Sequence, residues 1–456
     1  MKKILCCLAA LAIGFPTMAQ TDTTSVAATQ QPQEQANPNN GKIGKYRRSS
    51  LYSVLIKHST FKYGNTIDST FMAMPTPDKF NNHDLAVKSF ESTAVKQRKK
   101  GKAKVDANTK DINQFLQESQ VAKGLVEKWF DRDTVTGAFD MNLIRQRGNY
   151  DASQADIHIA DAGALGRAIL ADAGEDLIGK TFVLINDITF VDKGEKSGKV
   201  GGWLRLLGQV AAVATNNDNL ALAGKAAGGL VSEIDGFSVN ITSYLYRLEW
   251  NEDTAGMFYT QYWVDQEHCD PLRIQAFDTC NLFKVNYVGT TTTSAANLST
   301  KSFANKSKES QMLKVCTRAL DKSIVQLQRE YDEFKVNVPL YKINEDGTVD
   351  VQIGLKEGIN AKSQFDVLMP VETETGTTVY NKIGKIEPVE DRIWDNRFGA
   401  DEDAAILAAD KDAKKDKDDE DVAGDVTLTA TTFRVLSGAN KIVPGCLVRE
   451  VTIKRD

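Results

Sequence analysis

The chain has 456 residues, 41% hydrophobic and 26% charged, with 56 Lys and Arg against 61 Asp and Glu. That is a globular composition of two- or three-domain length, and it excludes chain-wide disorder, a collagen repeat and a disulfide-dense miniprotein. A net charge of −5 leaves no basic surplus, which argues against a dedicated nucleic-acid binder.

Residues 1–19 have the three parts of a secretory signal: Lys2 and Lys3 at the start, an apolar run over 4–15, and the small-x-small pattern Thr17-Met18-Ala19. Cleavage after Ala19 leaves Gln20 first, and losing the two lysines takes the net charge from −5 to −7. No later stretch approaches the ~20 uninterrupted apolar residues of a membrane-spanning helix. The expectation is an exported protein, in the periplasm or at the periplasmic face of the outer membrane. Cys6 and Cys7 leave with the signal, so Cys269, Cys280, Cys316 and Cys446 remain. Cys269 and Cys280 flank a short segment and form a candidate disulfide, with two reduced thiols equally consistent with the spacing. Cys316 falls on the apolar stripe of a predicted helix and Cys446 in a predicted strand, where each reads as a small buried hydrophobe.

Residues 20–48 are rich in Thr, Gln, Asn and Pro, with few large apolar side chains, and read as a disordered tether. From 51 to 63 the sequence LYSVLIKHSTFKY predicts one or two strands. The basic run KQRKKGKAK at 96–104 has no interleaved aromatics and reads as a solvated loop rather than a lipid-headgroup surface. Between 111 and 131, Ile112, Phe115, Leu116, Ala122, Leu125, Val126 and Trp129 recur at helical spacing. A second helix, rich in small residues, is predicted over 153–177 and ends at Gly179. The run TFVLINDITFV at 181–191 has the apolar, β-branched character of a strand covered on both faces.

Residues 198–236 carry two glycine-thinned apolar helices, one with Trp203, Leu204, Leu207 and Val210, the other with Leu222 and Leu230. Strand character returns over 237–250, with 256–264 as the expected hairpin partner across Asn251-Glu252-Asp253, and one more strand at 282–288. The longest amphipathic helix follows. Met312, Val315, Cys316, Ala319, Leu320, Ile324, Leu327, Tyr331 and Phe334 hold its apolar face, with Lys314, Arg318, Asp321, Arg329 and Glu330 opposite. Beyond Pro339 come short strands and close turns: 341–343, 349–354, 365–370, 384–388, 426–436 and 442–453, the pattern of a small barrel. Residues 401–421 interrupt it with ten acidic residues against four lysines, read as a disordered solvated insertion reaching 425. Its spacing lacks the glycine and terminal glutamate of a calcium loop.

No signature of catalysis, cofactor binding or metal ligation emerges: GxSxG, HExxH, GxxxxGK[ST] and CxxC are all missing from the sequence. His58, His83, His158 and His268 sit in unrelated segments, and His268 beside Cys269 falls short of the three or four donors a metal needs. The GKAAGG stretch at 224–229 follows a helix turn rather than a strand, so it reads poorly as a nucleotide loop.

Two stretches carry a family resemblance. Residues 181–192, the glycine-rich insertion and 244–265 resemble the α/β domain of the curli-secretion-channel (CsgG-like) family, with Asp187-Ile188-Thr189 and Arg247-Leu248-Glu249…Thr254-Ala255-Gly256 at its motif positions, and Gly166-Arg167 fitting the preceding helix. Residues 349–367, continued by Gly384-Lys385-Ile386 and Ile442-Val443-Pro444-Gly445, look like the C-terminal barrel of the flagellar assembly T protein family. The first family is anchored by a lipidated cysteine that this chain lacks at its expected mature start. In its channel branch the insertion forms spanning β-hairpins, whereas 198–236 has helical spacing. The resemblance therefore implies an envelope assembly component and puts a pore in doubt.

The expected architecture is an α/β or α+β domain with helices on a mixed sheet (49–338, with 198–236 inserted) and a small all-β SH3-like barrel (339–456). The expected function is non-enzymatic scaffolding through other envelope proteins, self-association, or contact with the outer-membrane surface. Trp203, Leu204, Leu207, Val210, Leu222 and Leu230 are its candidate contact residues. The rival is a periplasmic hydrolase whose acids come together from distant positions.

Overall fold

A computed structural model describes residues 49–61, 63–93, 102–151, 177–192, 237–296, 308–372, 378–405, 428–443 and 446–451. The chain divides into two units, 1–42 and 43–456, and every described residue belongs to the second. The predicted signal and tether, nearly all of the 153–177 helix, the 198–236 hairpin and most of the basic run at 96–104 lie outside the described residues.

Strands β1 (Ser50–Lys57), β2 (Asn81–Asn82), β3 (Ser89–Glu91), β4 (Thr181–Asp192), β5 (Phe237–Leu248) and β6 (Val285–Ala296) form one mixed sheet. Its order is β2-β1-β4-β5-β6, with β3 also on β1. β1 runs parallel to β2, β3 and β4, whereas β5 is antiparallel to both β4 and β6. The strict alternation of side chains along a strand gives each sheet face its own core. Tyr52, Val54, Ile56, Val183, Ile185, Tyr244 and Tyr246 pack under α2 (Lys102–Glu118), α3 (Val121–Trp129), α4 (Asn142–Asp151), α5 (Glu252–Met257) and α6 (Pro271–Thr279). Leu51, Leu55, Phe182, Leu184, Val239, Ile241 and Leu245 pack under α1 (Gly64–Ala73) and α7 (Lys308–Glu330).

Two local expectations change. The helical pattern at 111–131 is two helices, because Gln120 takes φ 45° between α2 and α3. The segment 256–264 is not a strand. Asn251 caps α5 by accepting the Thr254 N–H at 2.9 Å, with Glu252 and Asp253 in the first turn, and a single π-type turn over 258–262 follows. Phe258, Tyr259 and Trp263 then pack around Phe130, and β6 takes the place beside β5. The Thr254-Ala255-Gly256 stretch is accordingly helical rather than a hairpin turn.

Beyond α7, strands β7 (Val338–Ile343), β8 (Val349–Val351), β9 (Phe365–Glu372), β10 (Thr378–Pro388), β11 (Thr431–Ser437) and β12 (Leu447–Glu450) close into an antiparallel barrel, in the order β10-β11-β8-β7-β12-β9. Inward residues including Val349, Val351, Phe365, Val367, Ile386 and Phe433 fill it. The fold class read from the sequence is thus the observed one.

The charged side of α7 is where the structure departs furthest from a solvated face. Its exposed residues are Ser310, Lys322, Gln326 and Glu330. Lys314, Arg318, Asp321 and Arg329 recur at heptad-like spacing toward the barrel and its loops. Arg329 donates to Glu450 at 2.7 Å and to the Gly358 carbonyl at 3.0 Å. Lys314 donates to the Gly399 carbonyl at 2.9 Å and pairs with Asp403, which also accepts from Arg318 at 2.7 Å. Asp403 lies in a helical turn over 400–405, so the predicted disordered insertion does not begin at 401. A buried ammonium needs a counter-charge, and Lys314, 5% exposed, takes Asp403. Residues 406–425 lie outside the described residues. From the α1–β2 loop, Asp78 accepts from Lys356 at 2.9 Å, and Lys79 pairs with Glu357.

Asp321 sits among these groups, 8% exposed. Burial pushes its carboxyl up to about 6, with Asp78 and Glu357 adding to the rise and Lys356 and Lys79 opposing it. A carboxyl raised on folding binds a proton that the unfolded chain has lost, so its contribution is favourable below pH ~4 and disappears as pH rises through about 6. Asp321→Asn removes the buried charge. Thermal melts should show it more stable than wild type by about 1–3 kcal/mol at pH 7, with the difference vanishing near pH 4.

Candidate functional site

The chain leaves β1 first to lay β2 and β3 on one side of it, then crosses over to lay β4 on the other. Strand order reverses between β1 and β4, and in open α/β sheets ligands bind beyond the carboxyl ends of strands at such a point. His58 follows the last residue of β1. It continues the side-chain register of Tyr52, Val54 and Ile56, which aims it at the α2 side of the sheet. β4 contributes Asp187 to the same side.

The two meet there. His58 Nε2 donates to Asp187 Oδ1 at 3.0 Å, and Asn108 Nδ2 on α2 donates to Asp187 Oδ2 at 2.7 Å. Asn108 also donates to the Tyr244 hydroxyl at 3.0 Å. His58 is 8% exposed, Asp187 1% and Asn108 0%. Burial raises the Tyr244 phenol above its ordinary range, which keeps it neutral. One turn further along α2, Asp111 accepts from Thr93 Oγ1 at 2.6 Å, from the Thr93 N–H at 3.0 Å and from Ser92 Oγ at 3.2 Å. Glu91 accepts from both the backbone N–H and the hydroxyl of Ser59. The ends of β1 and β3 and the middle of β4 are thereby tied together by carboxylates.

A tight loop covers His58. Phe61 stacks on its ring at 4.5 Å, and Tyr63 takes φ 68°. A Cβ on Gly64 would lie 1.9 Å from the His58 carbonyl oxygen, so only glycine lets the loop close this way. The other ring nitrogen of His58, Nδ1, is buried and has no hydrogen-bond partner among the described residues. A carboxylate-oriented imidazole with a free second nitrogen is the orienting half of a proton-transfer pair.

No family model matches the chain, and no curated protein matches it in sequence.

Other singled-out residues are placed as follows. His83 is fully buried, donates to the Leu125 carbonyl and accepts from Arg147; burial, with Arg147 nearby, holds it well below its ordinary value and neutral. His268 is exposed and contacts Asp265 at 3.0 Å. Among the described residues no cluster of three or more His, Cys, Asp or Glu has metal-binding geometry. His158 lies outside the described residues, as do Trp203, Leu204, Leu207, Val210, Leu222 and Leu230. What the structure gives for that insertion is its root. β4 and β5 pair from Phe182 opposite Arg247 to Asp192 opposite Phe237, so 193–236 departs from and returns to one point on the sheet. That point is at the same end of the sheet as His58.

Cys269 and Cys280 are free thiols, and α6 accounts for it. The nine residues of this helix separate them by roughly 13 Å of rise, well outside the ~4.4–6.8 Å Cα spacing of a disulfide. Cys316 and Cys446 are buried and free, as small hydrophobes.

The sequence did hold a signal for the Asp187 pair. Asn186 and Asp187 are consecutive polar residues in an otherwise apolar strand, and alternation sends them to opposite faces. Asn186 bonds Ser243, which bonds Ser323 of α7, at 2.7 Å in each case.

Asp187→Ala should leave His58 Nε2 buried without its acceptor and cost Asn108 one of its two acceptors, lowering stability by about 2–4 kcal/mol in denaturant melts. Thiol titration of the chain from Gln20 onward, without reductant, should find four thiols after unfolding. In the folded protein Cys269 should react first, then Cys280, which is half-buried with its thiol pushed up by burial.

Proposed function

We propose that this chain is an exported, non-enzymatic assembly or scaffold component of the cell envelope, acting through protein contacts made by the 198–236 insertion. The observation that carries this reading is the root of that insertion. A pair of twelve-residue strands presents it from a single point, β5 bonded to β6 up to Ser238 and β4 bonded to β1 as far as Asn186. A segment rooted there transmits load directly into the sheet, as a contact element requires. The finer likeness, to a CsgG-like α/β domain followed by a flagellar-T-like barrel, is part of the same proposal. It is consistent with the mixed sheet and the six-stranded closed barrel. Localisation to the periplasm or the periplasmic face of the outer membrane rests on residues 1–19, and the partners are other envelope proteins, further copies of the chain or the membrane surface.

A second reading is favoured by one specific observation. The buried His58–Asp187 pair at the strand-order reversal suits a hydrolase whose site is assembled from distant residues, the nucleophile coming from outside the described set.

The decisive experiment crosslinks the mature protein in its native envelope, comparing wild type with Leu207→Ser plus Leu230→Ser. The scaffold reading expects N-terminal sequencing to begin near Gln20, an unchanged melting temperature in the double variant, and loss of the crosslinked species. Retained crosslinks with a loss of about 2–5 kcal/mol per leucine would make those leucines core and end the reading. Turnover of an ester, amide or glycoside panel that His58→Ala abolishes would establish the second.

A further inference from the structure

The sheet domain and the barrel keep separate cores, with Val336 packed against both. Charged pairs cross the seam between them. Arg329 reaches Glu450, Lys314 and Arg318 reach Asp403, and Asp78 and Lys79 of the α1–β2 loop reach Lys356 and Glu357 of the barrel. A polar interface of this kind leaves relative motion of its two parts as the default.

Asp321 of α7 is buried inside the last of these groups. The barrel turn Leu355–Glu357 lies against α7. Four charged side chains face the Asp321 carboxyl: Asp78 and Lys79 from the α1–β2 loop, Lys356 and Glu357 from the barrel turn. Each lysine already has an acid, Lys356 in Asp78 and Lys79 in Glu357. The cations of α7 itself are engaged too, Lys314 and Arg318 by Asp403 and Arg329 by Glu450. Three carboxyls therefore share two ammonium groups, and an ionised Asp321 adds a negative charge with no counter-charge of its own. A proton on Asp321 removes that excess. Withdrawal of the barrel relieves it as well, by returning the carboxyl to water.

We propose that this seam is a proton-operated clamp: a proton on Asp321 holds the barrel against α7, and its loss loosens the barrel from the sheet domain. Burial pushes the docked carboxyl up to about 6, and release returns it to the ordinary range near ~4. The neighbouring pair stays ionised meanwhile. Burial opposes the charge on Asp78, but Lys79 and Lys356 hold it below its ordinary value. Burial also opposes the charge on Lys356, which Asp321 and Asp78 hold above its own. A carboxyl raised on docking favours the docked form below its free value and loses that contribution as pH rises through about 6. Docking is therefore about tenfold stronger at pH ~5 than at pH ~7.5. Acid fixes the barrel on the sheet domain, and neutral pH frees it. The proposal stands whether or not the insertion binds a partner.

The test is the distance between spin labels on Cys269, in the sheet domain, and on Lys441→Cys, in the barrel. Both positions are exposed, and the chain from Gln20 onward is used with Cys280→Ser. This parent should give one narrow distribution at pH ~5 and a second, broader population at pH ~7.5. The ratio of docked to released molecules should fall about tenfold between the two. Asp321→Asn, neutral throughout, should stay narrow at both. A parent whose distribution is the same at both pH values, or an Asp321→Asn variant that releases as the parent does, overturns the proposal. Should Asp321→Asn fail to fold, Glu357→Gln decides, since it removes one of the three acids and keeps an oxygen for the Gly354 N–H. A release midpoint moved to lower pH supports the clamp; an unmoved midpoint overturns it.

Discussion

Helix α7 is buried on two sides by two different kinds of interaction, and the arrangement of both the sheet and the barrel depends on it. Its apolar stripe, with Met312, Val315, Cys316, Ala319, Leu320, Ile324 and Leu327, completes the core beneath β4 and β5. Its second stripe meets the barrel through ions: Arg329 with Glu450, and Lys314 and Arg318 with Asp403. Hydrophobic burial is strong but non-directional, whereas a guanidinium gripping a carboxylate fixes an angle. The first holds the helix on the sheet, and the second sets how the barrel sits on the helix. Val336, in the segment leading out of the helix, packs against both cores and makes the joint continuous.

Polar residues inside the central strand work by the same division of faces. Asn186 and Ser243 lock the sheet to Ser323 of α7. Asp187, one residue on, gathers His58, Asn108 and, through Asn108, Tyr244. Buried groups of this kind are costly unless satisfied, and His58 Nδ1, without a partner among the described residues, is toward the end of the sheet where the strand order reverses. The insertion root, the ends of β1 and β3 and the imidazole therefore lie toward the same end of the sheet. β6, bulged at Val288, runs alongside. The long strands are on the β4-β5-β6 half of the sheet, and the β2 and β3 side is trimmed short.

The sequence by itself determined the elements whose signal is local. The continuous apolar run at 181–191 is a buried central strand, the stripe ending at Leu327 is a core face, and the strand-turn rhythm after Pro339 is a barrel. Burial of Cys316 and Cys446 was readable for the same reason, since periodicity reports which positions are inside. Only the tertiary structure decided what each polar face meets. Lys314, Arg318, Asp321 and Arg329 have the same spacing whether they face water or a barrel, because ion pairs leave no mark on hydropathy. Residues 252–262 became helix rather than strand because the Asn251 cap and packing around Phe130 outweighed the strand propensity of the aromatics. His58 and Asp187, 129 residues apart, share no local pattern. Their meeting follows from two parallel strands set side by side by a crossover, a long-range contact that hydropathy periodicity does not encode.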